Sequence, residues 1–584
     1  MKRLSVLLFS LCLLLCQGLY AEARSYSSRD GLYKRVERIC ILSGVLPPTV
    51  SPASTSYLLG FADRIDETKL SREERELLSS VKEELCKEPL FSSGVFASEL
   101  ELEFNLNYTA GELDFYDYSN KESSLPSKDI RNEGFVFRYE DPFAYMRANL
   151  FFGPYVALEG SLQIGNNNHH IYRTSLGWLT CEYEGKRYSL FSTTEGDVNN
   201  VPLDFPYLAG LSISNDYASF FLGRYPHKMG LGMTGNMIIG DNFSYQEVLM
   251  AALHSDFASY YASVTRFDQM IEADNGYYQM SRSKFRGDQQ YRVVHRLEIS
   301  PLENLRASVD LGTLYNTTVG LDIRFLQPLM LQHNYGNYVN KSEKEYYDEA
   351  NNIMGVSLDY LPTEGVLLSL EFTLDQWQTA AEDQTSVPPA FGAKALLMGV
   401  KCLDDALLDI YFEAVYTNPY LYLNGKYDEN GRDHNLDYIV GYHTEHVDDY
   451  GYSGYVFGPD TIAFATGISY EEIKTGWGLD FSMLYKIQGQ KTLKHRASEY
   501  HMTEIDMSDS YFVRSEDGYE ATPTGGFDSA ERLLSLKGGI SYEKNWFGAY
   551  LDVVLNHYEN YGNDPDKDNL LAPMVQVGVK CSFF

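Results

Sequence analysis

Apolar and polar residues change their spacing once along this chain. Between residues 28 and 90 the apolar positions recur at helical intervals. Leu32, Val36, Ile39 and Cys40 share one face of a segment that ends at Gly44; Leu58, Phe61, Ala62 and Ile65 share another after the turn Leu46-Pro47-Pro48. A third helix begins at a capping box, Ser71 with Glu74, and carries the stripe Leu77, Leu78, Val81 and Leu85. From Ala97 onward the period is two. Leu100, Leu102, Phe104, Leu106 and Tyr108 alternate with Glu99, Glu101, Glu103, Asn105 and Asn107. The pattern returns at Leu368, Leu370, Phe372 and Leu374, and again at Leu479, Phe481, Met483, Tyr485 and Ile487. These runs are about ten residues long, the length of a tilted membrane-spanning strand.

The connections between runs alternate in length. Tight turns at Lys544-Asn545, Lys474-Thr475-Gly476, Asp404-Asp405, Pro362 to Gly365 and Pro301 to Asn304 are interleaved with polar loops near 558–573, 488–531, 417–460, 376–391 and 314–351. Short turns on one rim and long loops on the other are the mark of an outer-membrane barrel, and a soluble sandwich has no reason for them. The final run places Val575, Val577, Val579, Cys581 and Phe583 on one face and Gln576, Gly578, Lys580 and Ser582 on the other. It resembles the assembly signal read by the barrel-assembly machinery. The pattern predicts an all-β transmembrane up-and-down antiparallel β-barrel of about 16 to 20 strands, an even number. Residues 93–584 form the barrel and residues 24–92 a periplasmic helical cap.

Composition agrees and narrows the function. Among 584 residues, 81 are acidic and 48 basic, a formal charge of −33, which excludes a nucleic-acid binder. A mean hydropathy of −0.30 excludes a bundle of membrane helices. The 47 tyrosines suit the two lipid interfaces, where the ring meets acyl chains and the hydroxyl meets headgroups, so most are expected in aromatic girdles. Lys2-Arg3, the apolar stretch Leu4 to Leu15 and Ala21-Glu22-Ala23 read as a signal peptide, residues 1–23, cleaved to leave Arg24 first. The expected location is the outer membrane, with its lipid as a partner. Cys12 and Cys16 depart with the signal, leaving Cys40, Cys86, Cys181, Cys402 and Cys581. No metal-type spacing joins them, and no cofactor is implied. Cys40 and Cys86 lie in one helical segment, and an oxidising compartment permits a bridge between them, the alternative being two small buried apolar side chains.

Several blocks, in order, resemble one family. They are Leu222-Gly223-Arg224 leading to Gly230-Leu231-Gly232; His295 to Pro301; Tyr315 followed by Phe325 to Leu329; Asn352 to Gly355 with its hairpin to Asp375; Glu413 to Tyr420; and Gly458-Pro459-Asp460. Together with the helical cap, they resemble the Wzi-type capsule-assembly proteins of the Gram-negative outer membrane. That resemblance implies a barrel of about 18 strands and a lectin role, holding capsular polysaccharide at the cell surface. The acidity and tyrosine content depart from the family pattern.

Candidate chemistry lies in the loops. Gly230-Leu231-Gly232-Met233-Thr234-Gly235 fits a dinucleotide fingerprint by letter, but no helix follows, so it reads as a glycine-rich loop at the barrel rim. His254-Ser255-Asp256 is a turn, because adjacent residues do not converge as a triad. The loop 420–455 gathers Tyr420, Tyr422, Arg432, His434, Tyr442, His443, Tyr450 and Tyr452 among many carboxylates. Aromatic faces beside acids and amides suit a sugar; carboxylates with carbonyl oxygens suit Ca²⁺, although no ordered Ca²⁺-loop spacing is present. Lys491, Lys494, His495 and Arg496 form a basic patch that would attract an anionic glycan. Taken alone, the acidic loop and the basic patch read more readily as solvated surface; together with the resemblance they imply a non-enzymatic binder of surface polysaccharide. The alternative is a cation-favouring diffusion channel lined by Glu99, Glu101, Glu103, Asp359, Glu371 and Asp375. A hydrolase lacks any recognisable catalytic constellation.

Overall fold

The structure is a computed structural model. It describes residues 23–584 apart from 94–95, 112–133, 136–142, 165–177, 180–202, 205–206, 244, 269, 273–277, 281–288, 318–319, 329–346, 377–389, 405, 424, 428–432, 436–437, 444–447, 492–520, 568 and 584. Eighteen long antiparallel strands close into a barrel. They are β1 (Phe96–Gly111), β2 (Ala144–Phe152), β3 (Val156–Ile164), β4 (Ala209–Ser214), β5 (Ala218–Tyr225), β6 (Gln246–His254), β7 (Ala258–Asp268), β8 (Gln289–Leu302) and β9 (Leu305–Thr317). The second half holds β10 (Tyr347–Thr363), β11 (Val366–Gln376), β12 (Ala390–Leu403), β13 (Ala406–Thr417), β14 (Thr461–Glu472), β15 (Trp477–Gln488), β16 (Glu531–Lys544), β17 (Phe547–Glu559) and β18 (Leu570–Phe583). Each pairs with its sequence neighbour, and β18 closes the ring on β1 from Met574 opposite Gly111 to Phe583 opposite Leu102. Closure removes every sheet edge, which lipid requires because it offers backbone groups no partner.

The period-two residues divide as expected. Leu106, Leu222, Leu370, Phe372, Ile410, Phe412, Phe464, Phe481 and Val577 stand exposed on the outer, lipid-facing wall. Their neighbours Glu371, Glu413 and Gln576 are buried in the lumen. The short turns form one rim. They hold left-handed residues such as Asp404 (φ 51°), Asn545 (φ 56°) and Gly365 (φ 79°), a conformation Asn, Asp and Gly tolerate best. By the alternation rule this rim is periplasmic.

Three helices are seated in that mouth: α1 (Gly31–Leu42), α2 (Thr55–Asp63) and α3 (Arg72–Leu85). The capping box of α3 forms in full, Ser71 Oγ accepting from Glu74 N and Glu74 Oε2 from Ser71 N. The helices do more than cover the opening. Gly365 N donates to Ile41 O at 2.8 Å, and the turn after α1 enters the lumen, where Arg306 donates to Pro47 O and Thr49 to Glu298. No disulfide joins Cys40 and Cys86: Cys40 is wholly buried in α1 and Cys86 closes α3. Burial raises the Cys40 thiol pKa.

Two expectations change. The glycine-rich segment 230–235 lies inside the barrel rather than at its rim. It belongs to a strap, residues 226–245, that leaves β5 on the long-loop side and turns inward. Polar wall residues hold it there: Glu413 accepts from Met233 N and Thr234 N, Glu371 accepts from Met237 N, and Lys394 Nζ donates to Gly235 O. The tyrosines are also less confined to the girdles. Tyr33, Tyr225, Tyr261, Tyr315, Tyr422, Tyr438, Tyr455 and Tyr558 are among the largest fully buried side chains. The reason is that a phenol both fills space and carries one hydroxyl, as when Tyr225 donates to Ser25 O and Tyr33 to Val50 O.

Candidate functional site

The strap is the floor on which the outer loops rest. Lys228 and Met229 pair with Ser51 and Val50 of the N-terminal segment. Arg29 donates to Asp241 at 2.7 Å and to Phe243 O at 2.6 Å, so the helical region grips the strap's far end. Asn242 Nδ2 donates to Tyr452 O and Gly454 O, joining strap to loop 418–460.

That loop folds inward at both ends. Tyr422 N donates to Asp375, and its hydroxyl donates to Met237 O at 2.5 Å. Tyr438 N donates to Tyr422 O, and Ser453 N to Tyr438 O. Ile439–His443 pairs with Asp448–Tyr452, and Gly441 bridges to Asp268 of β7. Tyr442 packs on Phe243, Tyr245 and Phe267 while its hydroxyl accepts from Glu247 N. Wall residue Arg292, wholly buried, donates to Ser453 Oγ and to Gln246 Oε1. Burial pushes the Tyr422 and Tyr455 phenols well above their usual pKa, so both remain hydrogen-bond donors at neutral pH.

Asp460 ties the outer loops together. It sits in a left-handed conformation (φ 57°), wholly buried. Its carboxylate accepts from Lys491 N at 3.1 Å and from Thr524 N at 3.0 Å and Thr524 Oγ1 at 2.5 Å, while its carbonyl accepts from Gly489 N. Two loops, after β13 and β15, thus share one residue. Removal from water outweighs these bonds and raises the Asp460 pKa to about 6.

The residues expected to form a sugar site distribute as follows. Tyr420 and Lys491 come together, with Nζ 3.8 Å from the ring centroid. Tyr422 and Tyr452 lie with ring centroids 5.9 Å apart. Tyr420, Tyr422, Tyr442, Tyr452 and Lys491 are all buried, and they brace the plug. The backbones of His434, His443 and Tyr450 lie in short hairpins. Arg432, Lys494 and Arg496 fall outside the described residues. Of the acids proposed for a channel wall, Asp359 is bonded to Arg306, Glu371 to the strap and Lys394, and Asp375 to Tyr422 N.

Sequence reading missed the strap and its wall partners. One signal was available: Lys394 stands alone among Ala390, Gly392, Ala393, Ala395 and Leu396, and a lone cation on a barrel's inner face needs a partner.

An even-stranded closed barrel with a lipid-facing apolar band and alternating turns and loops defines an outer-membrane β-barrel, here with a strap and a loop folded into its lumen. Comparison with solved structures agrees. The chain is similar to Wzi of Escherichia coli, described as an outer-membrane protein involved in group 1 capsule assembly and a carbohydrate-binding β-barrel. The two share 10% identity with a TM-score of 0.53, over 95% of this chain and 99% of that one. It is also similar to OccAB4 of Acinetobacter baumannii, at 8% identity and a TM-score of 0.38 over 83% and 98%. No protein-family profile matches the chain, and no curated protein sequence does. What the chain shares with Wzi is the fold.

Proposed function

We propose that the protein is a non-enzymatic outer-membrane barrel that binds or anchors surface polysaccharide through its outer loops, having been exported with cleavage after Ala23. The observation that carries this reading is the occupied lumen. Strap 226–245 and loop 418–460 are bonded to each other and to buried charges on the wall, and such bonds leave the interior to structure rather than to diffusion. The described parts of the two loops are clasped at Asp460, which gives a binding surface a fixed base. Tyr420 under Lys491 anchors that base, with Arg432, His434, His443, Tyr450, Lys494 and Arg496 as the glycan-contacting groups. The likeness in fold to a carbohydrate-binding barrel supports the same reading.

The test joins two measurements on the refolded barrel. Planar bilayers should show no steady current, and immobilised acidic polysaccharide should be retained. Shortening loop 488–531 should release the glycan while heat-modifiable gel mobility persists. Steady cation-selective current with no retention would instead establish a diffusion channel.

A further inference from the structure

We infer that the lumen carries a second, separate site, for a hydroxylated carboxylate of the size of one sugar-acid residue, between α1 and the wall of β11–β16. This inference does not depend on the outer loops binding glycan. The site is a cavity of about 240 Å³. That is below the roughly 300 Å³ at which pockets begin to take drug-sized molecules, which limits the occupant to one small ring or acid.

Its polar lining is built from both sides. Lys34, Glu37 and Arg38 come from α1 and Lys228 from the strap; Asp409, Tyr411, Asp480 and Lys537 come from the wall. The acids already have cations. Glu37 is 3.6 Å from Lys228, Asp409 is 3.3 Å from Arg38, and Asp480 is 3.9 Å from Lys537. The last separation leaves space for a ligand oxygen to approach Lys537. Lys34 stands among Arg38, Lys228 and Glu37, and removal from water together with the two cations outweighs the acids and lowers its pKa to about 8. A carboxylate entering beside it would relieve that crowding.

Two groups ask for a hydroxyl. Asp409 Oδ1 and the Tyr411 hydroxyl, on residues 4% exposed, make no close hydrogen bond among the described residues; Ser469 and Ser482 of the same lining interact with Asp409 and Tyr411 only weakly, so both atoms keep bonding capacity. A buried polar atom left in this state costs about 1–3 kcal/mol, so a polar cavity of this kind is one to be filled. Residues 409 and 411 are next-but-one on β13 and point the same way, with Cα atoms about 7 Å apart. A ring bearing several hydroxyls can answer both, while a simple inorganic anion has no hydrogens with which to satisfy Asp409.

Exposure gives the route. The side chains of Asp480 and Lys537 are 40% and 23% exposed, and those of Asp409 and Lys228 are 6% and 4% exposed. The cavity therefore opens toward β15 and β16 and closes toward β13, with Asp409 and Asp480 at one level of the wall, each opposite Ser469, and both close to the short turns at Asp404 and Gly476 on the periplasmic rim. Ligand enters from the periplasm, opposite the outer loops.

The experiment is calorimetric titration of the full refolded barrel in detergent with glucuronate, glucose and sulfate as probes. Glucuronate should bind at least tenfold more tightly than either glucose or sulfate. Asp409→Asn and Tyr411→Phe should each weaken it about tenfold with heat-modifiable mobility unchanged. Lys34→Arg, on α1 and away from the wall, supplies a second readout. In the parent, affinity should fall as pH rises through about 8, where Lys34 loses its proton in the field of Arg38, Glu37, Lys228 and Asp241, with Asp409, Asp480 and Lys537 facing it across the cavity. Lys34→Arg should bind without that step. Shortening loop 488–531 should leave glucuronate binding intact whatever it does to polysaccharide. Sulfate binding as tightly as glucuronate, or no binding of glucuronate at tens of millimolar, would overturn the inference.

Discussion

Two sectors of the barrel wall carry charges on the same inner face and use them in opposite ways. Along β8–β13 the charges are dry. Arg296 lies against Glu298 and Asp310, and Arg306 against Asp359, all with side chains at most 5% exposed; Glu371, Lys394 and Glu413 hold the strap. Along β15–β1 the charges toward the short-turn rim remain wet, although Lys486 and Glu531 at the other end of β15 and β16 are buried as a pair. Lys580 reaches Glu103 and Glu543, with side chains 34%, 20% and 71% exposed, and Lys537 reaches Asp480. A buried charge persists only with a partner, so the first sector is fastened to whatever fills it. An exposed pair is worth little, so the second sector is free to meet solutes. Charge on a barrel's inner wall is therefore no measure of a pore; its exposure is.

The contrast can be broken in graded steps. The largest effect should come from deleting Val575–Phe584, which leaves β1 and β17 with unpaired edges in lipid; heat-modifiable mobility should vanish altogether. Next, Arg306→Ala strands Asp359 and Pro47 O in the dry sector and should cost about 3–5 kcal/mol in urea unfolding of the micellar protein. The double variant with Asp359→Ala should recover part of that loss, and a double variant as unstable as the single would deny the pairing. Glu413→Ala removes the acceptor of two strap amides, about 1.5–3 kcal/mol for bonds to a charged group, and should admit brief ionic currents in bilayers. Silent bilayers would mean that loop 418–460 seals the barrel unaided. In the wet sector, Lys580→Ala should shift stability by no more than about 1 kcal/mol.

The smallest effect concerns the clasp. The folded pKa of Asp460, about 6, lies above its unfolded value of about 3.9, so the folded state holds the extra proton between those limits. Its contribution is complete at low pH and is lost as pH rises through about 6. Melting temperature should therefore decline across that window, by the equivalent of at most about 3 kcal/mol, and Asp460→Asn should flatten the slope. An unchanged slope in the variant would assign the titration elsewhere.

Much of the wall was legible in the sequence because lipid and hydrogen bonding allow few alternatives. Phe481 must face out if Ser482 faces in, and Asp404 and Asn545 mark turns by the left-handed backbone they accept. The helix starting at Ser71 was equally plain. The interior was harder, for a physical reason. An inward Glu371 or Lys394 is satisfied as well by water as by a strap, so the period-two pattern that puts them in the lumen says nothing about what they touch. Tyr422 poses the same problem: a tyrosine that bonds the backbone of a plug has the composition of one at a lipid interface. Arg432, Lys494 and Arg496 of the candidate site lie outside the described residues.

The strap has one more implication, for how the filling of the barrel is kept in place. Its two ends are continuous with β5 and β6, which pair with each other from Tyr225 opposite Gln246, so the strap is a rim connection folded inward and can enter the lumen through the outer mouth after the ring has closed. Its retention is therefore energetic and not topological: Glu413, Glu371 and Lys394 on the wall and Arg29 of the N-terminal segment hold it. The strap behaves as a hinged flap, and loosening those bonds would let it swing out without opening the wall.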